Sequence, residues 1–173
     1  MEVLGILLLV TFSGISIIAL LATLNLLLPT AIEKTLQNLE LALRRSLLLG
    51  VINFIFGLAL VGLFGWLAEL TEQASSLLSG VFILLLGLIV FGVAIFALLG
   101  LAAFAKLLGE RIGGVKSPFT SNLRGGLLLL LAGMTPYVGW FLFTPLVLWT
   151  GLGAAISAQI RTREKADPVE EAM

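Results

Sequence analysis

The chain has 173 residues, of which 60% are apolar and 12% are charged, whereas soluble globular domains carry about 25% charged residues. This composition excludes a soluble domain, because several long leucine-rich faces would be left in water. The absence of cysteine and histidine excludes disulfides, thiolate chemistry and the commonest ligands of metals and haem. The net charge is zero. We therefore predict an all-α integral membrane protein with a single polytopic domain over residues 1–160 and no enzymatic activity.

The first apolar run, residues 3–28, predicts a membrane span. It is too long for a cleaved signal peptide, and Glu2 stands where a signal peptide would carry basic residues. Pro29 ends the span. Thr30 and Glu33 then have the spacing of a capping box, and apolar residues recur every three or four positions. We expect residues 31–44 to form an amphipathic helix in the membrane interface, as a connector or a docking surface.

Two further spans are predicted at residues 46–68 and 77–105. Asn53 is the most polar residue within a span, and its simplest role is a hydrogen bond to another helix. No acidic or basic residue lies in the middle of any span. This argues against an ion-coupled transporter or pump, since charges inside the membrane mark ion and proton paths.

The last apolar stretch, residues 123–160, is too long for one span. A straight helix of that length would run ~57 Å, and the hydrocarbon core of a bilayer is about 30 Å thick. The stretch contains a turn signal made of four residues, Thr135, Pro136, Tyr137 and Gly139. We predict a tight hairpin of two limbs, 119–135 and 139–160, of which the first either crosses fully or is re-entrant. The total is about five transmembrane helices plus the interfacial helix.

The charge distribution predicts the orientation. With five crossings, all ten basic residues fall on one side of the membrane, which is the positive-inside pattern. We therefore expect the N-terminus outside and a charged cytoplasmic tail, residues 161–173, in a bacterial cytoplasmic membrane. The predicted cytoplasmic boundary is formed by Arg44, Arg45, Lys106, Arg124 and Arg161.

Small residues recur at the spacings of helix-packing faces. Glycine pairs seven residues apart occur in three separate helices, and the last limb has overlapping pairs of small residues four apart. Such positions let helix backbones approach closely in a membrane. We predict packing interfaces, some within the chain and others with a partner, at Gly50, Gly57, Gly80, Gly87, Gly126, Gly133, Gly151, Gly153, Ala154, Ala155 and Ala158.

Four short segments carry a resemblance to a known family. They are Leu43-Arg44-Arg45, Leu108-Gly109-Glu110-Arg111-Ile112, Thr135-Pro136-Tyr137-Val138-Gly139-Trp140 and Gly151-Leu152-Gly153-Ala154-Ala155. Over the last three-quarters of the chain, the sequence resembles the membrane region attached to some bacterial bactofilin-like, polymer-forming proteins. The β-helical polymer domain of those proteins has no counterpart here, so polymer formation is not carried over. The resemblance implies a bacterial membrane module that anchors or organises other components.

Two functional hypotheses follow. The first is a non-enzymatic scaffold or accessory subunit that packs against other membrane subunits, such as those of an energy-converting, photosynthetic or respiratory complex. The second is a small channel or transporter for a neutral solute. No cofactor is predicted, although interface aromatics at Tyr137, Trp140 and Trp149 allow contact with a lipid, pigment or quinone. The bilayer is the expected partner, and no nucleic acid is expected.

Overall fold

In the computed structural model, which describes residues 2–72, 75–113 and 118–164, every element is helical. The elements are α1 (Glu2–Leu27), α2 (Pro29–Leu41), α3 (Leu43–Glu72), α4 (Ser76–Gly113), α5 (Pro118–Met134), a π-helix (Val138–Phe143) and α6 (Thr144–Glu164). The prediction of an all-α protein is confirmed for these residues.

Four helical stretches among the described residues are long and apolar enough to cross a membrane, which supports the predicted membrane class. They are Leu4–Leu27, Leu43–Glu72, Ser76–Ile112 and Val138–Ile160. The first limb of the predicted hairpin is not among them, because α5 has only 17 residues. The predicted tail lies outside the described residues from position 165 onward.

Helix α2 is separated from its neighbours by single non-helical residues. Leu28 (φ −125°, ψ 50°) breaks the chain before α2, and Ala42 (φ −145°, ψ 49°) breaks it afterwards. Leu28 precedes Pro29, and proline disfavours the helical conformation in the residue before it. The prediction of a capping box at Thr30 and Glu33 is wrong. Helix α2 begins at Pro29, and its N-cap residue, Leu28, makes no side-chain hydrogen bond. A proline at the first helical position lacks one of the N–H groups that a cap would satisfy.

One face of α2 is buried against α6 and α4. Ile32, Leu36 and Leu39 on this face are almost completely buried. An ion pair between Glu33 of α2 and Lys106 of α4 also joins the two helices. The helix therefore closes the end of the bundle at which α1 ends and α3 begins.

The bundle is tightly packed at this same end. Helix α3 packs on α6, α4 packs on both α5 and α6, and α1 lies at the periphery against α5 and α4. Small apolar side chains fill the centre at Ala102, Ala103, Ala105, Ala154 and Ala155. The far halves of α3 and α4 contact each other, with the rings of Phe64 and Phe82 6.1 Å apart. They are otherwise widely exposed, as expected for surfaces that face lipid.

The π-helix has an identifiable cause. The N–H of Thr144 donates to the carbonyl of Gly139, five residues back, and Pro145 follows with no N–H of its own. Proline also clashes with the carbonyl four residues before it, so the hydrogen bonds here span five residues, as in a π-helix, and not four as in an α-helix. A proline inside an otherwise apolar limb was the sequence signal for this irregularity.

Candidate functional site

The small residues of α6 face the interior of the chain. Gly153 packs against α3 so closely that a Cβ at this position would lie 1.8 Å from the carbonyl oxygen of Ser46. A Cβ at Gly50 would lie 1.6 Å from the carbonyl oxygen of Trp149. The remaining small positions of this limb, Gly151, Ala154, Ala155 and Ala158, are also buried. This face of α6 is therefore occupied by α3, α4 and α2, and it is not available to a partner.

Three glycines outside the heptad pairs make equally close contacts. A Cβ at Gly100 would lie 2.3 Å from the carbonyl carbon of Gly151, one at Gly109 would lie 1.9 Å from the carbonyl oxygen of Ser121, and one at Gly125 would lie 1.7 Å from that of Ala105. These contacts join α4 to α6 and to α5. The heptad pattern did not indicate these three positions, because none of them has another glycine seven residues away.

The other heptad glycines have open surroundings. A Cβ at Gly57, Gly126 or Gly133 would only reach ordinary contact distances of 3.6–3.7 Å, and nothing lies within 4 Å of one at Gly80 or Gly87. These two glycines are exposed on the outer half of α4. Close backbone packing therefore explains why glycine is needed at Gly50, Gly151 and Gly153. It does not explain the glycines at the other predicted positions.

The hairpin turn is the most irregular part of the described backbone. Tyr137 has φ 63° and ψ −64°, and it is the only non-glycine residue with a positive φ in the part of the chain that the structure describes. The N–H of Val138 donates to the carbonyl of Pro136 over 2.8 Å. This is a γ-turn of the rare positive-φ kind, which is strained for a residue with a side chain. Strain of this kind, of order 1–3 kcal/mol, tends to occur at functional positions.

Hydrogen bonds and steric fit hold the turn in place. The hydroxyl of Thr135 donates to the carbonyl of Ala132 over 2.6 Å, and the N–H of Gly139 donates to the carbonyl of Thr135 over 2.9 Å. A Cβ at Gly139 would lie 2.5 Å from the carbonyl oxygen of Ala132. Glycine is therefore required where the chain enters the π-helix.

The turn presents a bulky exposed surface, which we call the turn surface and define as Met134, Pro136, Tyr137, Val138, Trp140 and Phe141. Tyr137 is 79% exposed and Phe141 is 78% exposed. Two exposed aromatic residues, Tyr137 and Trp140, carry a polar group on a large apolar ring. The turn thus combines an irregular backbone with side chains typical of binding surfaces.

The turn lies well short of the outer ends of α3 and α4. Gly125 is level with Ala105, and from there α5 rises by only about 14 Å to Met134 at 1.5 Å per residue. From Ala105 to Ser76, α4 runs about 44 Å. The α5–α6 hairpin is therefore much shorter than the α3–α4 hairpin beside it.

The basic boundary residues gather at the packed end of the bundle. Arg44 and Arg45 lie in the first turn of α3, next to Ser46, which contacts Gly153. Lys106 and Arg124 lie one residue from the contacting pair Ala105 and Gly125. The side chain of Arg161 lies outside the described part of the chain.

Polar groups near this end are mostly bonded to backbone. Asn25 of α1 donates to the carbonyl of Ala102 of α4 over 3.4 Å. The side-chain N–H of Asn53 donates to the carbonyl of Leu49 in its own helix over 2.8 Å. The predicted hydrogen bond to another helix is therefore wrong, because an asparagine side chain can donate to a carbonyl in the preceding turn instead. Two buried atoms in the described residues have no hydrogen-bond partner, Ser121 Oγ and Asn122 Oδ1 at the start of α5.

Within the described residues, no three acidic side chains cluster as a metal site would require. The chain matches no protein-family model, no curated protein and no solved structure.

Proposed function

We propose that this chain is a non-enzymatic membrane scaffold or accessory subunit, and that a partner protein covers its turn surface. The observation that carries the proposal is the exposed, non-helical turn at Thr135–Tyr137, with its strained γ-turn and surrounding aromatic residues. The bactofilin-like resemblance, which implies a module that anchors or organises other components, points in the same direction.

The depth of the turn is the physical reason for a partner. If Lys106 and Arg124 mark the cytoplasmic surface, α5 places Met134 about 14 Å inside a hydrocarbon core of about 30 Å. The longer limb, counted from Gly153 beside Ser46, places Val138 at most about 22 Å inside it. We propose that α5 is therefore re-entrant and not a fifth full span. Irregular backbone at this depth is not left facing lipid, because its polar groups have no partner there.

We further propose that α2 lies at the cytoplasmic interface of a bacterial inner membrane. Its exposed face carries Glu33, Lys34 and Glu40, while its apolar face is buried on the bundle. An amphipathic helix of this kind has one face suited to water and headgroups. The N-terminus would then be outside and the tail cytoplasmic.

A small channel or transporter for a neutral solute is the second candidate. The same broken hairpin favours it, since transporters place discontinuous helices and their substrate sites near the middle of the bilayer. In that case water, and not a partner protein, would satisfy the backbone of the turn.

A photo-crosslinking experiment distinguishes the two candidates. Tyr137 is replaced by p-benzoylphenylalanine, which keeps an aromatic ring at this exposed position, and native membranes are irradiated. We expect a discrete protein adduct of higher mass. A control with the same replacement at Phe56, an exposed aromatic residue on the lipid-facing part of α3, should give less of this adduct. The absence of any protein adduct from Tyr137 would overturn the scaffold proposal.

The accessibility of the turn to water tests the transporter. Because the chain has no cysteine, Tyr137→Cys introduces a single thiol. Under the scaffold proposal, this thiol resists a membrane-impermeant maleimide in intact membranes and reacts after detergent has removed the partner. Fast labelling in intact membranes, slowed by a neutral solute, would favour the transporter.

A further inference from the structure

We propose that the partner covering the turn surface is a second copy of this chain, related to the first by a twofold axis along the membrane normal. This inference rests on the proposed function, because it names the partner that the scaffold proposal requires. An isologous interface places the same surface of two copies against each other, so that surface must be complementary to itself. The turn surface meets this condition, because it carries both unused hydrogen-bond acceptors and unused donors.

The backbone carbonyl of Trp140 is the first unused acceptor. In an α-helix its donor would be the N–H of Thr144, which donates to Gly139 instead. In a π-helix its donor would be the N–H of residue 145, which is a proline and has none. Trp140 is 68% exposed, so this acceptor belongs to a residue at the surface of the bundle.

The backbone carbonyl of Met134, at the end of α5, is the second unused acceptor. The N–H groups of Val138 and Gly139, four and five residues further on, donate to Pro136 and Thr135 instead. Met134 is also exposed. The hydrocarbon core holds no water that could bond these two carbonyls, so the partner must supply hydrogen-bond donors.

The same surface carries two donors that the chain itself does not use. The hydroxyl of Tyr137 and the indole N–H of Trp140 belong to exposed side chains, and neither makes a hydrogen bond within the described residues. An uninterrupted transmembrane helix offers a partner no backbone N–H, because its own carbonyls use them all. A second copy of this turn, in contrast, provides donors for the two acceptors.

The symmetry of a membrane dimer brings these donors and acceptors together. Two copies inserted in the same orientation are related by an axis along the membrane normal, and rotation about that axis leaves the depth of every atom unchanged. The turn of one copy therefore lies at the same depth as the turn of the other. Residues 134–140, which carry both acceptors and both donors, then face their counterparts within the bilayer.

The turn surface is also large enough for a stable contact. Its three aromatic residues, Tyr137, Trp140 and Phe141, are 79%, 68% and 78% exposed, and an aromatic side chain buries about 150–250 Å². With its other three residues, the turn surface approaches the area of about 800 Å² that each partner contributes to a standard interface.

Photo-crosslinking between two tagged copies tests the identity of the partner. Copies with different affinity tags are expressed together, each with p-benzoylphenylalanine in place of Tyr137, and native membranes are irradiated. We expect an adduct that carries both tags, and several-fold less of it with the same replacement at Phe56. An adduct with a different protein, and none with both tags, would overturn the second copy as partner and leave the scaffold proposal standing. The absence of any protein adduct would overturn both.

Removal of the two donors tests the hydrogen bonds. The double variant Tyr137→Phe, Trp140→Phe keeps both aromatic rings, and dimerisation is measured in liposomes by energy transfer between copies labelled at a cysteine added after Met173. We expect the dimer to be weaker by roughly tenfold or more, because up to four hydrogen bonds between helices are lost per dimer. Trp66→Phe is the matched control, since it removes the same indole N–H from an exposed tryptophan of α3, and it should leave the affinity unchanged.

A single substitution covers the case in which the double variant does not fold. Trp140→Phe alone removes one donor from each copy and should weaken the dimer several-fold. An affinity equal to that of the natural chain, in whichever of the two variants folds, would overturn the proposal.

Discussion

Gly100 of α4 and Gly151 of α6 pack backbone against backbone. A Cβ at Gly100 would lie 2.3 Å from the carbonyl carbon of Gly151, and one at Gly151 would lie 2.9 Å from the Cα of Gly100. No side chain fits at either position without separating the two helices. The hydrophobic effect does not drive association between helices that are already in lipid. Close van der Waals packing of this kind therefore contributes much of the stability of a membrane bundle.

Replacing Gly100 by alanine should therefore destabilise the bundle. Overpacking typically costs ~1–3 kcal/mol, and the contacted atoms here are backbone, which cannot rotate away. The measurement is the free energy of unfolding in mixed micelles of a mild and a denaturing detergent. Gly87→Ala is the control, since nothing lies within 4 Å of its new Cβ. Equal stabilities of the two variants would contradict the packing of α4 on α6.

Gly153→Leu should disrupt the fold and not merely release a partner. The new side chain would collide with the carbonyl oxygen of Ser46, which a Cβ alone would already approach to 1.8 Å. We expect little folded protein, measured by size-exclusion chromatography after mild extraction. Gly80→Leu, at an exposed position on α4, should accumulate normally. Normal yield of folded Gly153→Leu would show that α3 and α6 are not in contact.

The strain at Tyr137 predicts an unusual stabilising substitution. Tyr137→Gly should raise the free energy of unfolding by about 1 kcal/mol, since glycine adopts a positive φ without a steric penalty. Gly139→Ala should lower it, because its Cβ would lie 2.5 Å from the carbonyl oxygen of Ala132. Both are measured by detergent unfolding. If Tyr137→Gly is less stable than the natural chain, the γ-turn is not the conformation in the membrane.

The ion pair between Lys106 and Glu33 should make only a modest contribution. Its side chains are 18% and 53% exposed, and exposed pairs contribute up to about 1 kcal/mol. A double-mutant cycle with Lys106→Met and Glu33→Gln measures the coupling. Lys106 also lies 4.0 Å from Glu110, so Lys106→Met should cost more than Glu33→Gln. A coupling of zero would mean that the ion pair does not hold α2 on α4.

Reporter fusions test the orientation. A reporter active only in the cytoplasm should be active after Met173 and silent at Ser75, because all ten basic residues would then lie inside. Activity at Ser75 would reverse the predicted topology. This outcome would also mean that Lys106 and Arg124 do not lie at the cytoplasmic surface, which the proposal of a re-entrant hairpin assumes.

The sequence by itself determined the class of protein and the order of its elements. Long apolar runs cannot remain in water, and a stretch of apolar residues twice as long as a bilayer is thick must fold back near its proline and glycine. The turn at Thr135–Gly139 was therefore predictable from length and local backbone chemistry. The charge pattern likewise predicted an orientation without any knowledge of packing.

Only the tertiary structure decided which small residues touch. Gly50 and Gly87 belong to the same kind of heptad pair, yet one lies against the backbone of Trp149 and the other meets nothing within 4 Å. Spacing within a helix shows which residues share a face, but it does not show which helix lies opposite that face. The contact between Gly100 and Gly151, the depth of the turn and the unpartnered Asn122 all depend on how separate helices are aligned, and that alignment arises from the packing of the whole bundle.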